Sequence, residues 1–101
     1  MIIPKSACIF GQKWSIEIGH VPDDDDGICI PDDLKIHINK DLSEDDKIQT
    51  FFHEVFHAMC SRIGLRQVIS HEVEEILAEN NATIVTEMLK IMNVDTKFPL
   101  R

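Results

Sequence analysis

Hydrophobic and polar positions alternate along the first forty residues, and the period then changes. In "ACIFGQKWSIEIG" (7–19) two β-rich runs surround Gly11-Gln12, which predicts a hairpin. Trp14, Ile16 and Ile18 alternate with Ser15, Glu17 and Gly19, so this second strand should bury one face. "GICI" (27–30) and "LKIHIN" (34–39) flank Pro31-Asp32-Asp33, a further turn signal. In the last run Leu34, Ile36 and Ile38 point one way, and Lys35, His37 and Asn39 point the other, as in a half-exposed strand.

From "DLSEDDKIQTFFHEVFHAMCSRIG" (41–64) onward the period is helical. Ile48, Phe51, Phe52, Val55, Phe56, Met59 and Ile63 recur at steps of three and four. Ser43 is an N-cap with Asp46 at the capping-box distance, three acids fill the first turn, and Gly64 is placed to end the helix. Ser70 caps a second helix, "HEVEEILAENNATIVTEMLKIM" (71–92), apolar over nearly half its circumference. "NVDTKFPLR" (93–101) reads as a tail. The expected fold class is α+β, a single domain over 1–101. An antiparallel meander of about four short strands should pack on two long helices.

Charge and composition narrow the functions open to such a domain. The net charge is −8, and residues 23–54 carry the whole deficit, with eleven acids against three lysines. That surface repels phosphate backbones, so nucleic acid is not an expected partner. "DDDD" (23–26) lacks the alternating spacing and closing Glu of an EF-hand loop, and reads as a solvated loop. No run approaches the roughly 18 to 20 apolar residues of a membrane span. Cys8, Cys29 and Cys60 are odd in number and without C-x-x-C spacing, which points to a reducing, cytoplasmic setting.

The candidate chemistry lies in "FFHEVFHAMC" (51–60). His53 and His57 stand four apart, so both imidazoles leave one face of the helix, the spacing at which two nitrogens reach one Zn²⁺. Glu54, rotated about 100° from His53, is placed to act as a general base on a water in an open coordination position. The isolated motif also arises by chance. Here it falls on a strongly predicted helix among bulky apolar residues, where two unpartnered histidines would be costly to bury. A metzincin third ligand would need Gly at 60 and His at 63, and the chain has Cys60 and Ile63. The second helix supplies the alternatives. Glu75 shares a stripe with Ala78, Ala82, Val85 and Leu89 and is the favoured third ligand, ahead of Glu72 and Glu74. The other acids of that helix, Glu79 among them, are expected to be solvated.

These stretches, "LSEDDKIQTFFHEVFHA" followed by "EEILAENNA", resemble the compact ImmA/IrrE-type zinc metallopeptidases, especially their small phage-encoded relatives. The resemblance covers roughly residues 5–92. It implies His53, His57 and Glu75 as ligands of a gluzincin-like zinc site, Glu54 as the base, and a protein or peptide as substrate. The strand at 34–38 is expected to pair with the substrate backbone. The chain has no Tyr, so the usual phenolic oxyanion donor is missing; His71 and His37 are the remaining candidates, and each reads more readily as a surface histidine. His20, beside the acidic loop, is expected at the surface. The rival reading is a zinc-containing regulatory module that binds a protein partner and cuts nothing.

Overall fold

A computed structural model describes residues 3–92, so the tail at 93–101 lies outside the described residues. Four strands precede two helices: β1 (Ser6–Ile9), β2 (Gln12–Gly19), β3 (Gly27–Ile30), β4 (Lys35–Asn39), α1 (Glu44–Ile63) and α2 (His71–Ile91). The α+β class is as expected. The strand order is not that of a meander.

β1 and β2 form the predicted hairpin, with the turn one residue earlier than the sequence suggested. Ile9 pairs with Gln12, and Phe10 and Gly11 occupy the turn with φ of 46° and 82°. Two consecutive positive φ values are what a tight hairpin needs to match the strand twist. The sheet order is β1-β2-β4-β3, with β2 and β4 parallel and the other pairs antiparallel. The chain leaves β2, passes through residues 20–26, lays down β3 at the edge, and returns through a turn at Pro31–Asp33 that ends on Leu34 at φ 52°. The centre of the sheet goes to the strand with most apolar surface to bury. Ile36 and Ile38 of β4 are fully buried, whereas all four residues of β3 are only half-buried.

Helix α1 lies over β3 and β4 and packs its other side against α2. Ile36, Ile38, Trp14, Ile16 and Ile9 meet Phe51 and Ala58 in the core. Because α1 covers the β3–β4 side, the far end of β2 is left open, and Ile18, expected in the core, is 48% exposed. Both helix starts are as predicted: Ser43 Oγ accepts from Asp46 N at 3.1 Å and Ser70 Oγ from Val73 N at 3.2 Å. Gly64 closes α1 in the left-handed region, φ 75°, donating to the Cys60 carbonyl. Among the described residues, no helix is long and apolar enough to cross a membrane.

Candidate metal centre

The site forms along the seam between α1 and α2, beneath the edge strand β3. On α1, His53 and His57 are one turn apart, and their Nε2 atoms approach to 3.2 Å. Across the seam, Glu75 places Oε1 2.8 Å from His57 Nε2 and Oε2 3.3 Å from His53 Nε2. Ligand atoms about 2.0–2.1 Å from a tetrahedral ion stand ~3.3–3.4 Å apart, close to these separations. Glu75 is thus the acid of α2 that groups with both histidines, although the buried alanine stripe invoked for it on the sequence runs through Glu74.

The protonation pattern strengthens the fit. His57 Nδ1 is in hydrogen-bond contact with Glu74 Oε2, and the same carboxylate accepts from Arg66 Nε at 3.1 and 3.2 Å. A carboxylate paired with a guanidinium is an acceptor, which suits a proton on His57 Nδ1. A ring with its one proton there turns the Nε2 lone pair toward the Glu75 carboxylate and the His53 nitrogen, as a metal ligand does. One proton on Nε2 would point along a single direction and satisfy one neighbour. A cation between the three atoms satisfies all of them. The donor set is one that Zn²⁺ favours.

Glu74, an alternative third ligand on the sequence, stands instead behind His57. It is 3% exposed and lies in one stripe with Ala78 and Ala82, both fully buried, at steps of four. The alanines let α2 come close to α1, and Glu74 reaches beneath the seam to the far nitrogen of His57. Arg66, in the short turn between the helices, completes this support and donates Nη2 to the His57 carbonyl at 3.4 Å. Such outer partners fix the tautomer and ring plane of a metal-binding histidine. His53 has a looser counterpart, with Glu79 Oε1 3.6 Å from its Nδ1. Glu72 is exposed and stands apart from the group His53, His57 and Glu75.

Glu54 is 7% exposed and lines a cleft of about 980 Å³ beside this cluster. Its pKa is raised from 4.5, chiefly by burial and further by Glu75 and Asp25, against the pull of His53 and His57. Gly27 makes this arrangement possible. A Cβ there would lie 2.6 Å from Thr50 Cγ2, 3.0 Å from the His37 carbonyl and 3.2 Å from Glu54 Cγ, so only glycine lets β3 approach α1 this closely. Cys29, also on the cleft wall, has its thiol pushed up to about 12 by burial and by Glu54, which disfavours its thiolate.

Three further expectations need correction. β4 is bonded on both sides, to β2 and β3, so strand 34–38 has no free edge for a substrate, and the edge beside the cleft belongs to β3. His37 is on the sheet near Glu17, at 3.5 Å, and does not line the cleft, whereas His71 does. The acidic loop is exposed, as expected, and its Asp24, Asp25 and Asp26 form one rim of the cleft. Asn39 holds that rim in place. It is buried, not exposed as its strand position suggested, and donates Nδ2 to Asp24 Oδ1 at 3.3 Å and to the Asp25 carbonyl at 3.2 Å. Its backbone N–H binds the Asp26 carbonyl at 2.8 Å. His20 is exposed, as expected.

No protein-family model, curated protein or solved structure matches the chain.

Proposed function

We propose that the protein is a zinc-dependent metallopeptidase that hydrolyses peptide bonds with Glu54 as general base. The observation that carries the proposal is the convergence of three acceptor atoms, from His53, His57 and Glu75, beside a buried carboxylate that faces an open cleft. His53, His57 and Glu75 would hold the ion. Bound there, zinc lowers the pKa of a water toward 7 and polarises a carbonyl. Glu54 takes the proton of the attacking water and returns it to the leaving amine, and burial favours its neutral, proton-carrying form between the two steps. Glu74 and Arg66 hold His57 in the tautomer that turns Nε2 toward the ion. His71, on the cleft wall, is the imidazole available to an oxyanion. The three cysteines are free, which suits a cytoplasmic enzyme.

A non-catalytic zinc module is favoured by one feature, the exposed apolar residues of α2, which include Ile76, Ile84, Met88 and Ile91. Glu54→Gln separates the two readings. The variant keeps shape and ligands, so a peptidase should retain its zinc and lose cleavage by roughly 10⁴-fold, the upper end for general acid–base catalysis. Profiling new N-termini in a peptide digest makes the measurement. Equal cleavage by both proteins would point to a contaminant and to the binding module.

A further inference from the structure

The cleft beside Glu54 is acidic well beyond what a metal and a base require. Apart from Glu54 and Glu75, its walls carry Asp24, Asp25 and Asp26 on one rim and Asp46 and Glu79 on the other. Among the described residues, Arg66 is the one Lys or Arg on these walls, and its charge is engaged by Glu74 at 3.1 Å. Glu54 adds an independent sign that a ligand belongs here: it is 7% exposed, aims into the cleft, and has no hydrogen-bond or ion-pair partner among the described residues. Its carboxyl oxygens open onto the cleft, so their partner is whatever occupies it. The rim is also held in position by Asn39, so its charges need little reordering to meet a ligand.

We infer that the cleft selects peptide segments carrying lysine or arginine close to the bond brought to Glu54, with Asp25 and Asp26 on one side and Asp46 and Glu79 on the other as the groups that read the cation. The inference rests on the peptidase reading and names its substrate class. A concave surface of one sign raises the local concentration of opposite charge and repels acidic segments, and both effects weaken with salt.

The test is fluorescence anisotropy on zinc-loaded Glu54→Gln protein, with a lysine-rich peptide and a glutamate-rich peptide of equal length. The lysine-rich peptide should bind at least about tenfold tighter, and the gap should shrink as salt rises from about 0.02 to about 0.5 M. Asp25→Asn/Asp26→Asn should narrow the gap several-fold. Asp32→Asn/Asp33→Asn removes the same charge from exposed positions off the cleft walls and should leave the gap intact. Equal affinity for the two peptides, or equal loss in both double variants, overturns the inference. A digest of a mixed peptide library by the wild type is run beside it. Cleavage without enrichment of lysine or arginine near the cut overturns the inference and leaves the peptidase reading standing. Selective binding of the basic peptide with no cleavage does the reverse.

Discussion

Helices α1 and α2 are nearly equal in length, 20 and 21 residues, but they face different surroundings. α1 has the sheet on one side and α2 on the other, and buries Ile48, Phe51, Ala58 and Cys60 together with Thr50, Glu54 and His57. α2 buries only Glu74, Ala78 and Ala82, and its larger apolar residues face outward, Ile76 60% and Ile84 59% exposed. A helix clamped between two layers holds histidines rigidly. A helix laid on one neighbour by a narrow alanine seam can bring a row of carboxylates to within bonding distance of them. The candidate metal centre draws on both.

The largest expected effect tests that asymmetry in stability. Phe51→Ala removes a core ring and should cost about 3–5 kcal/mol, whereas Ile84→Ala should stay within about 0.5 kcal/mol. Chemical denaturation of both variants measures the difference, and comparable losses would mean that the outer face of α2 is covered in solution. Ala82→Leu tests the seam. Overpacking should cost about 1–3 kcal/mol, and zinc should be held more weakly because Glu75 is pushed away from the histidines. A variant as stable and as zinc-competent as the wild type would show that the close approach is not needed.

Glu74→Gln sharpens the distinction between ligand and support. It should lower zinc affinity about 10–100-fold, the usual cost of losing an outer-shell partner, and less than Glu75→Ala does. Competition with a chelator gives both affinities, and a Glu74→Gln variant weaker than Glu75→Ala would exchange the roles assigned to the two residues. The smallest effect concerns the metal-free protein. The Glu54 pKa is raised on folding, so the folded chain binds that proton more tightly than the unfolded one. Stability from this group is then greatest below the ordinary value of about 4.5 and falls as pH rises through the folded value. Metal-free Glu54→Gln should accordingly melt higher than wild type at neutral pH, and the gap should close on acidification. A gap that widened in acid would carry the wrong sign.

The same asymmetry explains what the sequence made legible. On α1 the apolar period, the caps and the H-E-x-x-H spacing arise from one helix, so local pattern sufficed for His53, Glu54 and His57. On α2 the apolar residues mark an outward face, and the buried stripe is written in Ala and Glu, which hydrophobic periodicity cannot detect. Glu75 was still reachable, because the alanines beside it signalled close approach. Glu74 was legible only as a rival ligand, because its place behind His57 depends on the rotation of α2 against α1, which the sequence leaves open. Arg66 and Asn39 act through contacts 8 and 15 residues away in the chain, and neither has a local signature. The parallel pairing of β2 with β4 was hidden for a related reason: alternation marks strands but not their order in the sheet.

Three side chains from two helices are proposed to hold one zinc ion, with Glu54 beside it but not among its ligands. Elemental analysis of protein purified without added metal tests this most directly, comparing wild type, Glu54→Gln, His53→Ala and Glu75→Ala. Near-stoichiometric zinc is expected in the first two and strong loss in the last two. Full zinc in His53→Ala, or loss of zinc in a folded Glu54→Gln, would contradict it.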